Sequence, residues 1–249
     1  MPRVTVRLYG DLAQLAGEAD RRGIVELGYP GTRTVKDLVE SLGVPHTEVD
    51  LLLVDGESVG FDHRLDEGER VSVYPVFHDV AVDAISKVRP DEPPPTRFLL
   101  DVHLGKLANH LRLLGLDAAY DNDRDDRELA VLATTDDRTL LTRDRGLLMR
   151  ARVVHGYLVR STDPVEQAAE VVRRFRLADA VDPFTRCLTC GADLHPAEKG
   201  EVIDELPPRT RRDHDRFVRC SGCGSVYWRG SHHERLRDLV DEIVSRAGG

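Results

Sequence analysis

The chain has 249 residues, with 35 Lys/Arg against 44 Asp/Glu, a formal net charge of -9, and 41% of its residues apolar or aromatic. That length suits two compact domains with a small appendage, and no apolar run approaches the roughly 18 residues that span a bilayer, so a membrane protein is not expected. The acid excess argues against a protein that coats nucleic acid by bulk charge: residues 1–80 hold 8 Lys/Arg against 15 Asp/Glu, whereas the remaining 169 hold 27 against 29.

The opening stretch alternates Val4, Val6 and Leu8 against Thr5, Arg7 and Tyr9, which reads as a strand and not as an export signal. A cytoplasmic protein is the expectation. Further strands are expected over 24–27, 51–54 and 71–76, with turns at Asp55-Gly56 and Asp66-Glu67-Gly68-Glu69. Between them Thr34 reads as an N-cap with Asp37 three residues on, and Val35, Leu38, Val39 and Leu42 make one helical stripe before Gly43. Residues 1–78 thus form a small α+β domain. The Pro-rich stretch Arg89-Pro90-Asp91-Glu92-Pro93-Pro94-Pro95 marks 79–96 as a linker, because proline continues neither a helix nor a central strand.

From Arg97 strand and helix alternate. Phe98-Leu99-Leu100 is a buried strand ending at Asp101, followed by a helical stripe of Leu104, Leu107, Ala108, Leu111 and Leu114 up to Gly115. A strand over 117–120 ends at Asp121; a helix carrying Leu129, Val131 and Leu132 follows. The strand over 139–142 then runs into Arg143-Asp144. A strand over 153–159 and a helix from Pro164 to about Phe175 complete a parallel α/β sheet over 97–182, since continuous apolar strands with helical crossovers bury both faces. Residues 186–228 read as loop-rich, with a closing helix over 234–245 carrying Leu236, Leu239, Val240 and Ile243 on one face.

Two features carry chemistry. Cys187-Leu188-Thr189-Cys190 and Cys220-Ser221-Gly222-Cys223 are two Cys-x-x-Cys knuckles, the spacing at which four thiolates close around Zn²⁺. A four-thiolate site has no open position, so the zinc is structural and 183–249 reads as a zinc ribbon with its closing helix. His232 and His233 are set aside as ligands. The second feature is a series of carboxylates at strand ends, where open parallel sheets bind ligands: Asp101, Asp121 and Asp144, with five acids between Asp121 and Glu128. Gathered like charges call for a cation, and hard oxygen donors suit Mg²⁺ or Mn²⁺, which activates water and neutralises phosphate. Lys106, Arg143 and Arg145 lie where they can hold a phosphate backbone. Acids in a first helical turn also serve the helix dipole, and Asp is a common turn residue. His103 and His110 read as packing or surface residues on one helix face. The arginines between the knuckles, Arg209, Arg211, Arg212, Arg216 and Arg219, are interrupted by Asp213 and Asp215 and point equally to RNA contact or to a solvated loop.

The ordered motifs Phe98-Leu99-Leu100-Asp101, Leu104-Gly105-Lys106-Leu107-Ala108, Leu111-Arg112-Leu113-Leu114-Gly115, Leu140-Leu141-Thr142-Arg143-Asp144, the cysteine pairs and Val226-Tyr227-Trp228-Arg229-Gly230-Ser231-His232 resemble the Mut-seven C-terminal RNase family over about 97–243. That family is similar to PIN-domain nucleases with an added zinc ribbon. The resemblance implies a metal-dependent ribonuclease acting on RNA, with Asp101, Asp126 and Asp144 as the catalytic metal-binding acids and Asp121, Asp123 and Asp125 as helpers. The second acid lies among Asp123, Asp125 and Asp126; Asp126 is favoured because it directly precedes the turn Arg127-Glu128-Leu129. His103, Asn109 and His110 stand where the family has Met, Arg and Trp, a departure that touches the substrate surface. Residues 1–77 resemble the ubiquitin-like β-grasp module related to ThiS/MoaD sulfur carriers. The terminal Gly-Gly of those carriers has no counterpart after Phe77, and Gly248-Gly249 reads as a frayed end. The alternative is a protein that no longer cuts: an RNA-binding adaptor whose β-grasp domain recruits a protein partner.

Overall fold

In the computed structural model the described residues are 1–17, 19–77, 85–88, 95–230 and 232–248. The linker expected over 79–96 lies outside them except for residues 85–88, 95 and 96, and Gly249 lies outside them too. In chain order the N-terminal elements are β1 (Arg3–Leu8), α1 (Leu12–Leu15), β2 (Ile24–Gly28), α2 (Val35–Ser41), β3 (Leu51–Val54), β4 (Glu57–Ser58) and β5 (Arg70–Tyr74). There follow β6 (Arg97–Leu100), α3 (Gly105–Leu113), β7 (Asp117–Tyr120), α4 (Asp126–Thr135), β8 (Thr139–Thr142), α5 (Arg145–Leu148), β9 (Gly156–Leu158) and α6 (Pro164–Arg174). The last are β10 (Leu194–Ala197), α7 (Lys199–Val202), α8 (Pro208–Asp213), β11 (Phe217–Cys220), β12 (Val226–Trp228) and α9 (His233–Ala247). They pack as two units: Met1–Pro93 with Asp144–Leu158, and Pro94–Arg143 with Val159–Gly249.

In the first unit the alternation of β1 puts Val4, Val6 and Leu8 into the core beside Val35, Leu38 and Val39 of α2. The helix begins where Thr34 accepts the Asp37 N–H and Asp37 reaches back to the Thr34 N–H, the expected capping box. Five strands run in the order β2-β1-β5-β3-β4, with β1 parallel to β5 and the other pairs antiparallel. This is the expected β-grasp. The four-residue α1 went unforeseen, being too short to show a helical period. The segment Asp144–Leu158 is fastened inside this unit. Arg145 donates to the Leu15 carbonyl at 2.8 Å, and the Leu158 N–H donates to Glu48 Oε1 at 2.7 Å. His46 lies with Nδ1 2.7 Å from Glu40 Oε1 and Nε2 3.0 Å from the Val153 carbonyl.

In the second unit β6 lies between β7 and β8 and is parallel to both, with Leu99 opposite Ala119 on one side and Leu140 on the other. Phe98, Leu99 and Leu100 are buried, as a strand covered on both faces requires. Helix α3 packs on α6, and α6 on α9. Helix α4 turns Leu129, Ala130 and Ala133 inward, leaving the expected Val131 and Leu132 half-buried. The strand expected over 153–159 is shorter, Gly156–Leu158.

The region read as loop-rich contains a three-stranded antiparallel sheet, β10-β11-β12, with the short α7 and α8. Its small core is Val202, Leu206 and Phe217, with Ala197, Val226 and Trp228 packed against it. No helix of the described residues is long and apolar enough to cross a membrane.

Candidate active site and metal centre

Asp101 directly follows β6 and caps the 3-10 turn Val102–Leu104. It is 3% exposed. Its Oδ1 accepts the His103 N–H at 2.7 Å and lies 3.3 Å from His103 Nδ1; its Oδ2 accepts the Thr142 hydroxyl and the Arg143 N–H at 3.2 Å. A buried carboxylate is costly unless such donors replace water. Two of those donors come from the end of β8, so strand pairing itself builds the pocket for this acid. The turn after Asp101 is further fixed by Tyr120, whose hydroxyl donates to the Val102 carbonyl at 3.0 Å. That ring presses on Gly105, where a Cβ would stand 2.8 Å from the hydroxyl oxygen, so the Leu104-Gly105-Lys106 motif needs glycine for close approach.

The acids after β7 divide by role. Asp121 accepts the Asp123 N–H and lies 3.7 Å from Arg124. Asp125 caps α4, accepting the Arg127 and Glu128 N–H groups at 2.7 and 2.8 Å, while the Glu128 carboxylate accepts the Asp125 N–H. Asp126 is the first helical residue and half-buried; Asp123 is exposed. Asp144, two residues past β8, caps α5 through the Gly146 N–H and is exposed.

The four cysteines converge. Their sulfurs all lie within 4.8 Å of one another, with Cys187 to Cys223 at 3.6 Å and Cys190 to Cys220 at 3.3 Å, close to the ~3.8 Å edge of a tetrahedral four-thiolate zinc site. The Gly222 and Cys223 N–H groups point at Cys220 Sγ, at 3.3 and 3.4 Å. Each knuckle closes on a glycine with positive φ, Gly191 at 82° and Gly224 at 76°, where a side chain would be strained. Burial pushes the Cys187 thiol up, but the Tyr227 hydroxyl and backbone N–H groups of Cys190 and Thr189 outweigh it and bring it down to about 6. Burial and the neighbouring sulfurs push Cys190 up to about 12. Four thiolates this close repel one another unless a cation lies among them, and the soft donor set fits zinc. Among the described residues this is the one set of three or more such ligands with converging donor atoms; the aspartates form no such set.

The family model described as the Mut7-C RNAse domain matches residues 96–240, more than half of the chain, and the model described as Mut7-C ubiquitin matches residues 1–81. The chain belongs to the Mut7-C RNAse family. No curated protein matches it. Among solved structures, the putative molybdopterin converting factor, subunit 1, from Pyrococcus furiosus is 24% identical, over 31% of this chain and 100% of that one, at a TM-score of 0.26. The small archaeal modifier protein 1 of H. volcanii is 20% identical, over 31% and 100%, at a TM-score of 0.26.

In this Mut7-C chain the expected cations take different places. Lys106 is exposed in the first turn of α3, and Arg143 is exposed while its N–H holds Asp101. Arg145 spends its guanidinium on the Leu15 carbonyl. Of the two histidines expected on one helix face, His103 stands before the helix with its ring 77% exposed, and His110 Nδ1 meets the Pro164 carbonyl at 3.0 Å. Of the arginines between the knuckles, Arg212 pairs with Asp213 and Arg219 with Glu205. Thr142 and Arg112 went unnoticed as contributors. An apolar strand ending in Thr signals nothing by itself, and an arginine beside an apolar helical stripe reads as solvated.

Proposed function

We propose that this Mut7-C protein is a divalent-metal-dependent ribonuclease of the PIN-like class, hydrolysing RNA phosphodiester bonds beyond the carboxyl ends of β6, β7 and β8. The observation that carries this reading is Asp101: a buried carboxylate at the end of the central strand of an RNAse-family domain, held by hydrogen-bond donors from the neighbouring strand. Asp101, Asp126 and Asp144 are the acids that would hold Mg²⁺ or Mn²⁺, with Asp123 in support. Asp121 and Asp125 are already engaged in the turn and the cap. Hard oxygen donors fit either ion, and an ion of this kind takes one or two carboxylates and keeps water and phosphate for its other positions, so a gathered acid cluster is not required beforehand. When bound it supplies an activated water and charge neutralisation at the scissile phosphate.

The chain's own residues do the rest. Thr142 and the Arg143 N–H orient Asp101; Lys106 and the Arg143 guanidinium, both exposed, hold the phosphate backbone, and Arg145 joins them only by giving up the Leu15 carbonyl. Four cysteines hold a structural Zn²⁺, which suits a reducing cytoplasm. The test is hydrolysis of single-stranded RNA by the purified protein. Cleavage that needs Mg²⁺ or Mn²⁺ and stops with EDTA is expected.

One observation favours a second reading: the aspartates do not converge. On that reading the chain binds RNA without cutting it, and the β-grasp unit recruits a protein partner. Mn²⁺ titration followed by electron paramagnetic resonance in the presence of RNA separates the two. The nuclease binds an ion that the Asp101→Asn/Asp144→Asn variant does not, whereas the adaptor binds RNA alike with or without metal.

A further inference from the structure

Arg112, in the last turn of α3, is 3% exposed although it carries a full charge. Buried arginines ordinarily face carboxylates. This one forms no ion pair among the described residues and donates only to carbonyls: Nε to Ala118 at 2.9 Å, and NH1 to Leu188 at 3.1 Å and Thr189 at 3.0 Å. Leu188 and Thr189 are the two residues inside the first Cys-x-x-Cys, and Ala118 lies on β7, the edge strand that ends at the acidic turn. Gly191, which closes the knuckle, leaves room for this arrangement. A Cβ there would stand 3.1 Å from Arg112 Nε and 3.3 Å from the Ala118 carbonyl oxygen.

We propose that Arg112 is a positioning residue of the zinc centre, locking the first knuckle to the open edge of β7 so that metal loading orders the strand leading to residues 121–126. Two physical requirements meet at this side chain. Zinc held by four thiolates carries two net negative charges, and a fixed, buried guanidinium beside the knuckle balances part of that charge. The edge of β7 away from β6 needs a hydrogen-bond partner, which Arg112 supplies while its other nitrogen holds the knuckle in the conformation that aims Cys187 and Cys190 inward. Metal, knuckle, guanidinium and strand are thereby one connected chain of contacts. The inference rests on the four cysteines binding zinc, a reading that the metal content of the wild type checks by itself.

The experiment compares full-length wild type, Arg112→Gln, Arg112→Lys and, as a core control away from the knuckle, Val172→Ala. Three quantities are read: zinc content, zinc release into a competing chromogenic chelator, and amide hydrogen exchange over residues 117–120 with and without zinc. Wild type is expected to hold one zinc per chain. Arg112→Gln should release it on the order of 10- to 100-fold faster, the usual effect of removing an outer-shell partner. Arg112→Lys, which keeps the charge but not the fork, should fall between them and serves if the glutamine variant does not fold. Strand β7 should lose protection when zinc is stripped from wild type, and already in zinc-loaded Arg112→Gln. Val172→Ala should lower thermal stability without faster release. Release from both Arg112 variants at the wild-type rate, or faster only in proportion to lost stability as in Val172→Ala, would overturn the proposal. A wild type that binds no zinc would sink the zinc reading and the proposal with it.

Discussion

With 3% of its surface exposed, Asp101 depends on the Thr142 hydroxyl and on two backbone N–H groups to do what water does for an ordinary carboxylate. Asparagine at this position turns an amide N–H₂ toward one of those donors. Asp101→Asn is therefore expected to lower stability by about 1–3 kcal/mol, the cost of a buried group left without a partner, and to abolish RNA hydrolysis. Asp144 offers the complementary case. It is exposed and its Oδ1 caps α5, a task asparagine performs as well, so Asp144→Asn should abolish hydrolysis and cost less stability in denaturant melts than Asp101→Asn does. Both acids were legible in the sequence, because an apolar run ending in aspartate marks a strand end. What sequence does not carry is the distinction between them. Burial of Asp101 arises from β6 pairing with β8, and no local pattern encodes which Thr will reach across. Asp125 stands beside the favoured Asp126 as an alternative second acid in the sequence, and its capping box gives it another task.

At the scale of elements, α2 was foreseen nearly residue for residue because its cap and its stripe agree. The Thr34 hydroxyl and N–H hold the Asp37 carboxyl below its ordinary range. A depressed carboxyl stabilises the fold fully above the unfolded value of ~4 and loses that effect as pH falls through the lower folded value. Thr34→Ala should therefore cost about 0.5–2 kcal/mol near neutral pH, and the gap should narrow in acid. Thermal melts of both proteins across pH 2–7 read this, and a gap that widens in acid would contradict it. The elements that escaped notice, α1, α5, α7, α8 and the strands of the cysteine region, are six residues or shorter, less than the window in which a helical period shows. Their order comes from contacts distant in sequence. Glu48 is an example: 4% exposed, it accepts the Leu158 N–H 110 residues away. Glu48→Ala should destabilise by about 1–3 kcal/mol and Glu48→Gln, which keeps an acceptor, by less.

Across the whole molecule, the compact units do not follow chain order. The cysteine region shares one compact unit with the parallel sheet, and residues 144–158 pack with the N-terminal unit. Chain order and motif spacing gave family and fold class, whereas the grouping follows from a buried arginine and a buried glutamate whose partners are far along the chain. Stripping zinc with a chelator should accordingly lower the unfolding temperature of the unit that carries β6, β7 and β8, and not only loosen the cysteine region. Calorimetry with and without chelator reads this, and an unchanged main transition would mean that the ribbon is an independent module.

The most direct test of the account incubates wild type and Asp101→Asn/Asp144→Asn with end-labelled single-stranded RNA in Mn²⁺, in Mg²⁺ and in EDTA. The expected result is cleavage by wild type with metal alone, with neither EDTA nor the variant yielding product. Equal RNA binding by two proteins that are both inert in every condition, or cleavage that survives loss of both acids, would contradict it.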